Sequence, residues 1–171
     1  MINIALLTSD LELDLTENIV QYFNDYPDAQ ISCIISNKKD SVIKNRLRRY
    51  KKKIFETDLY KNIDKILTET NSHYVVLSGY SDKIPPNFCK KYDWKIIDLK
   101  KNNRDISIFF VKENFNVKDV IFKKDLVIIN KKEELSDDEI KSQVNDMAFN
   151  FYPVLIEKII RETFKKIYTQ E

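Results

Sequence analysis

The sequence predicts a doubly wound α/β domain: a mostly parallel sheet with a C-terminal antiparallel hairpin and a long bent helix. Three observations predict it. Short apolar runs alternate with helical patterns over the first hundred residues, the rhythm of strand–helix–strand units. The rhythm then changes, with two strand-like runs in succession and one long amphipathic stripe after them. Finally, Gly79, the one glycine in 171 residues, stands directly after the apolar run Tyr74-Val75-Val76-Leu77-Ser78. Average usage would supply about a dozen glycines. A chain so poor in them keeps one where φ is positive or where another group approaches the backbone closely. The stretch from Tyr74 to Phe88 therefore reads as a buried strand running out into a loop over a pocket. In open α/β sheets, ligands bind beyond the carboxyl ends of the strands.

The elements follow in order. Ile2 to Thr8 is a continuous apolar run, the pattern of a central parallel strand. Ser9 to Asp14 is a polar loop. A helix from Leu15 to Asn24 carries Ile19, Val20 and Phe23 on one face and stops before Pro27. Ala29 to Ser36 is the second strand, and Ser41 to Tyr50 the second helix. Ile54-Phe55 makes a short third strand. Leu59, Ile63, Ile66 and Leu67 place a third helix from Leu59 to Thr70. Beyond strand four, Pro85-Pro86 forces an extended turn and opens a short helix to Lys91. Trp94 to Leu99 is strand five. Asp105 to Lys112 and Val120 to Ile129 form the hairpin. Ser136 and Glu139 make a capping box at the start of the last helix. Its stripe runs through Ile140, Val144, Ala148, Leu155 and Ile159, and Pro153 should bend its axis. No linker, repeat or low-complexity tract divides the chain, so residues 1–171 are expected to form one domain.

Composition excludes several classes. At 43% hydrophobic and 33% charged residues, the chain is an ordinary globular one. A formal charge of +2 argues against nucleic acid as a partner. No apolar run approaches the roughly 20 residues of a membrane span. The first residues form a strand, not a signal peptide, so a cytoplasmic protein is expected. Cys33 and Cys89 are then reduced, buried thiols. His73, the only histidine, precedes strand four and so lies at the wrong end for cleft chemistry. One His and two separated Cys predict no metal site. The basic run from Lys44 to Lys53 reads as a solvated helix face and turn. Its sharper reading is an anionic partner.

Several motifs carry a resemblance. Tyr74-Val75-Val76-Leu77-Ser78-Gly79-Tyr80, followed by Ile84-Pro85-Pro86-Asn87-Phe88, resembles the strand and loop of folate-dependent formyltransferases. The closest are the glycinamide ribonucleotide formyltransferases, whose stretch reads like VVLAGFMRILSPAF. Ile35-Ser36-Asn37-Lys38 is similar to that family's FSNK, and Ser107 to Val111 to its SVHFV strand. Phe151-Tyr152-Pro153-Val154-Leu155 matches the Tyr-Pro centre of its last helix. The likeness keeps its order over nearly the whole chain. It implies the formyltransferase fold, with Gly79, Tyr80, Ser81, Asp82, Lys83 and Ile84 at folate-loop positions and Ser9 and Asp10 in the substrate loop.

The departures fall on the chemistry. The family's glycine-rich first loop, SGNGSN, closes its amides on a phosphate. Here Ser9 to Asp14 has no glycine and three carboxylates, which should repel a phosphate dianion. The family's Asn-Ile-His-Pro is replaced by Asp98-Leu99-Lys100-Lys101, and its orienting Asp by Asn116. The segment between strands five and six shrinks to about Asn102-Asn103-Arg104, removing one wall of the cleft. The resemblance therefore implies a catalytically degenerate formyltransferase-fold protein, with no catalytic residue expected at the matched positions Asp98, Lys100 and Asn116, and no cofactor. It would be retained for ligand binding or for association, as a homo-oligomer or with a protein partner, through the hairpin or the last helix. The alternative is an active enzyme using 10-formyltetrahydrofolate on glycinamide ribonucleotide or an amino-sugar nucleotide, with Asp98 or Asn116 in new roles. A receiver-like signalling domain has a similar rhythm. It needs an acidic pair after strand one, where Asp10 and Asp14 are not adjacent, and a phosphorylatable Asp after strand three, where Glu56-Thr57-Asp58 fits poorly.

Overall fold

Seven strands form one sheet in the order β3-β2-β1-β4-β5-β6-β7, in a computed structural model that describes residues 1–113, 120–126 and 135–168. The strands are β1 (Ile2–Thr8), β2 (Ala29–Ser36), β3 (Ile54–Glu56), β4 (Tyr74–Ser78), β5 (Ile96–Lys101), β6 (Asp105–Phe110) and β7 (Val120–Asp125). The first five are parallel. β6 and β7 return antiparallel, as the missing helix between them predicts. The helices are α1 (Leu13–Tyr22), α2 (Ile43–Leu47), α3 (Tyr60–Glu69), α4 (Pro86–Lys91) and α5 (Asp137–Tyr168).

Alternation along the strands divides the core into two layers. Ile4, Leu6, Val76 and Ile97 face α1, α2 and α5. Ala5, Leu7, Val75, Leu77 and Ile96 face α3 and α4. The sheet is thus covered on both faces, which explains why β1 and β4 read as unbroken apolar runs. Cys33 and Cys89 are buried, unbridged thiols. Among the described residues, no helix is long and apolar enough to cross a membrane.

Local differences from the sequence reading have physical causes. The second helix shortens to one α-helical turn followed by a 3₁₀ turn over Arg48–Tyr50, and ends with Lys51 at φ 53°. β5 starts two residues later and ends two residues later than expected. Trp94 takes φ 59° and so belongs to the turn, while Lys100 and Lys101 gain partners across the sheet in β6. The hairpin's first strand stops at Phe110, and the predicted end of its second, residues 127–129, lies outside the described residues.

The capping box forms as predicted. The Ser136 N–H donates to Glu139 Oε2 at 2.8 Å, and the Glu139 N–H to Ser136 Oγ at 3.3 Å. Within α5, Pro153 has no N–H for the carbonyl four residues back, which belongs to Phe149. That carbonyl instead accepts a 2.6 Å hydrogen bond from Asn18 Nδ2 of α1. The Tyr22 and Tyr26 hydroxyls donate to Glu157 further along the same seam. α5 is therefore fixed against α1 both at the proline and one turn beyond it.

Candidate functional site

All five parallel strands end at one edge, and four loops meet there. Gly79 holds the centre. Its φ is +61°, and a Cβ added to it would come within 2.5 Å of Glu12 Cγ and 3.0 Å of the Glu12 backbone nitrogen. Both reasons for keeping a single glycine therefore apply at once: a left-handed backbone and a close approach. The approaching group is the end of the first loop, which folds down over the strand-four turn.

Short polar contacts tie that loop in place. Ser9 is fully buried, and its Oγ accepts the Ser81 N–H at 2.8 Å and the Ser81 hydroxyl at 3.1 Å. Asn37 Nδ2, at the end of β2, donates to Ser81 Oγ at 3.0 Å. Asp10, held at φ 42°, accepts the Ser41 hydroxyl. Below the loop, Thr8, Thr16 and Ser78 form a buried chain of hydroxyls at 3.2 and 2.9 Å. The structure thus brings Ser9, Asp10, Gly79 and Ser81 together, as their positions predict. Asp82 and Lys83 are exposed beside them. Tyr80 and Ile84 pack with Phe88 into the α3–α4 layer, and Tyr60 donates to the Lys83 carbonyl at 3.3 Å. Burial raises the pKa of both Tyr60 and Tyr80. One buried polar atom here, Asn37 Oδ1, has no hydrogen-bond partner among the described residues.

β4 and β5 pair only through Val75–Ile96 and Val76–Ile97, then part. The wholly buried Tyr152 hydroxyl of α5 reaches into the fork. It donates to the Leu77 carbonyl at 2.9 Å and lies 3.3 Å from the Ile97 carbonyl. Burial, with Asp98 nearby, drives its pKa well up. Asp98 is the next residue of β5. It keeps some solvent exposure, yet desolvation pushes its carboxyl up to about 7, against the pull of the Leu99 N–H bonded to Oδ1 at 2.8 Å. At neutral pH this carboxyl is split between an acceptor-only form and one that can donate a proton.

By alternation, Asp98 and Lys100 project to the α4 side of the sheet, and Leu99 and Lys101 to the α5 side. Lys100 is exposed and has no carboxylate partner among the described residues. Asn116 lies outside the described residues. Of the three matched positions, Asp98 and Lys100 share one face of β5.

Sequence reasoning missed the α5 side. There Lys101 Nζ is ion-paired with Glu12 and donates to Asn145 Oδ1 at 2.9 Å, joining the first loop, β5 and α5. The only available signal was the carboxylate count of the first loop; a pairing across 89 residues leaves no local trace. Beyond this bridge opens a cavity of about 990 Å³ between the first loop, the β5–β6 turn and the first three turns of α5. Its floor is apolar, with Leu15, Ile140, Val144 and Ala148, while Asp14, Arg104, Asp137, Lys141, the 102–103 turn and the bridge supply its polar groups. The tight turn at 102–104 leaves this space open: the Asn102 N–H donates to the Asp105 carbonyl at 2.9 Å, and Asn102 Nδ2 to Asp105 Oδ1 at 2.7 Å.

At the other end of the sheet, His73 Nδ1 accepts the Asn3 N–H at 2.9 Å. Burial, the chain's amino terminus and Lys95 lower the pKa of His73. It is a structural group, far from the cleft, as its place before strand four implies. No group of three or more His, Cys, Asp or Glu positioned to hold a metal occurs among the described residues.

No protein-family model matches this sequence, and no curated protein matches it. Solved structures do. Phosphoribosylglycinamide formyltransferase from Anaplasma phagocytophilum superposes with a TM-score of 0.79 at 17% identity, over 94% of this chain and 87% of that one. The enzyme of the same name from Bacillus halodurans gives 0.79 at 15% identity, over 98% and 100%. A formyltetrahydrofolate deformylase from Pseudomonas syringae pv. tomato gives 0.68 at 16% identity, over 86% of this chain and 57% of that one. With its strand order, its two covered faces and its last helix crossing the fork between β4 and β5, the chain has the formyltransferase fold.

Proposed function

We propose that this formyltransferase-fold protein does not transfer formyl groups and serves as a binding protein. One observation carries the reading. The Glu12 side chain lies over Gly79 and is ion-paired with Lys101, so a carboxylate stands where the first loop would have to close on a phosphate. A dianion placed beside it would have to displace Glu12 from Lys101, and the loop has no glycine with which to turn its amides inward. The pterin side supports the same reading. Tyr80 and Ile84 are committed to the α3–α4 core layer, so the residues present do not fit a pterin without repacking. Losing one oxyanion donor typically costs about a hundred- to a thousand-fold in rate. Donor, acid and orienter all differ here from the family's pattern, and a loss of that size at each leaves no useful turnover. Binding, of a small ligand or a protein partner, is then the retained role.

A second reading has one observation in its favour. Asp98 stands on β5 just past the point where β4 and β5 part, and a carboxyl pushed up to about 7 there suits proton transfer. An active formyltransferase would use it in place of the family's histidine, with 10-formyltetrahydrofolate as donor and glycinamide ribonucleotide or an amino-sugar nucleotide as acceptor. A turnover assay with these substrates separates the two. We expect no rate above the uncatalysed reaction. A rate that Asp98→Asn abolishes would replace the first reading with the second.

A further inference from the structure

Of the charges that line the α5-side cavity, two cations and one carboxylate are left without an ion-pair partner among the described residues. Three carboxylates and three cations line it. Glu12 is paired with Lys101, and Asp14 belongs to a balanced network outside the cavity in which Arg46 bridges Asp14 and Glu17 and Arg49 also pairs with Glu17. Arg104 and Lys141 have no carboxylate partner among the described residues. Asp137 is also without a cationic partner there, but it sits in the first turn of α5, where the free amides favour negative charge. Two cations against one carboxylate leave a single positive charge, offered from two walls: Arg104 from the β5–β6 turn and Lys141 from α5. Below them lies the apolar floor of Leu15, Ile140, Val144 and Ala148. Leu11 and Phe149 stand at the rim with 68% and 42% of their surface exposed, large apolar side chains left without cover at the mouth of a hollow. A volume of about 990 Å³ lies at the upper end of the usual range for small-molecule sites.

We infer that this cavity binds a small monoanionic molecule with an apolar body, an aromatic or branched monocarboxylate, its carboxylate held between Arg104 and Lys141 and its body on the α5 floor. A planar carboxylate suits the forked guanidinium of Arg104. One negative charge completes the balance. A second, as on a phosphate monoester, would find no unpaired cation left to answer it and would face Asp137 across the same hollow. The apolar body would cover Leu11 and Phe149.

This inference rests on reading the cavity as a binding site, and the test keeps the two apart. The whole chain is titrated by calorimetry and saturation-transfer NMR with indole-3-acetate and 4-methylpentanoate as probes. Indole-3-ethanol serves as the neutral control and ribose 5-phosphate as the dianionic one. At least one carboxylate should bind saturably, at least tenfold tighter than either control. The surface double variant Arg104→Gln/Lys141→Gln should weaken it at least tenfold without changing the circular dichroism spectrum. Failure of both carboxylates to bind, equal binding of the alcohol, tighter binding of the sugar phosphate, or an unaffected double variant would overturn the inference. Formyl transfer is assayed on the same preparation. Turnover alongside carboxylate binding would overturn the earlier reading and leave this one standing, while no binding and no turnover would do the reverse.

Discussion

The two sides of the sheet's carboxyl edge are fed by the same strands and end differently. On the α4 side, Tyr80 and Ile84 fold into the core with Phe88, and Asp98 is largely desolvated. On the α5 side, Glu12 and Lys101 meet above an apolar floor, and a cavity stays open. The closed side holds a desolvated acid, and the open side holds paired charges. The difference teaches that one strand can bury a polar residue on one face of the sheet and line an open cavity on the other. β5 makes the point in four residues, since alternation sends Asp98 and Lys100 one way and Leu99 and Lys101 the other.

The largest expected effect is at the point the two sides share. Gly79→Ala puts a methyl against Glu12 in a left-handed conformation. The strain costs about 1–2 kcal/mol, and crowding against a backbone atom about as much again. A loss of about 3 kcal/mol in urea denaturation is expected. Part should return when Glu12→Gly is added, because the side-chain part of the clash is then removed. A loss unchanged by the second substitution would mean that the first loop does not press on Gly79, and the two sides would then be independent.

The next effect sharpens the contrast in burial. Asp98 has a folded pKa of about 7, above its unfolded value of about 4. Between those values the folded state binds more protons than the unfolded one, so stability falls as pH rises through the window and stays low above it. Three units set a ceiling of about 4 kcal/mol. Because Asp98 keeps some solvent exposure, about 2 kcal/mol is the expected size. Asp98→Asn should therefore stabilise the protein at pH 8, leave it unchanged at pH 4, and flatten the curve between. A flat curve in the unsubstituted protein would show that the α4 side is as wet as the α5 side.

The parallel half of the fold was legible because buried strands write continuous apolar runs and helices write stripes. The capping box at Ser136 and the lone glycine were legible because each is a local chemical necessity. The strand-end residues Ser9, Asp10, Gly79 and Ser81 were legible because the order of elements fixes which loops share an edge. Lys101 was not, because the expected strand stopped at Leu99, and the face a side chain takes depends on whether the strand continues. Asn145 and Tyr152 could be assigned to the last helix but not to the cleft, since their partners lie 44, 55 and 75 residues away.

Tyr152 tests how the fork that separates the two sides is held. Its hydroxyl donates to the Leu77 carbonyl and lies 3.3 Å from the Ile97 carbonyl where β4 and β5 part. Tyr152→Phe keeps the ring and removes the side-chain donor at the Leu77 carbonyl. A loss of about 1.5 kcal/mol is expected. Hydrogen exchange of the amides at the ends of β4 and β5 should rise with it, and that of β2 and β3 should not. Uniform acceleration would show that the phenol acts on global stability alone and not on the fork.

The smallest effect distinguishes a bridge that closes the edge from one that merely lines the cavity. Glu12 and Lys101 each keep roughly a quarter of their side-chain surface in solvent, 29% and 24%, so water screens the pair. Glu12→Gln keeps the length of the side chain and can still accept from Lys101 Nζ, but it removes the charge. A stability loss of about 0.5 kcal/mol is expected at low salt, shrinking further in 1 M sodium chloride as the pair is screened. The charge balance of the cavity changes more than its stability. With Glu12 neutral, Lys101 joins Arg104 and Lys141 as a third unanswered cation, and the hollow becomes able to hold a dianion. Ribose 5-phosphate should then bind at least tenfold tighter to Glu12→Gln than to the unsubstituted protein. If it does not, the carboxylate over Gly79 is not what keeps phosphate out of this edge.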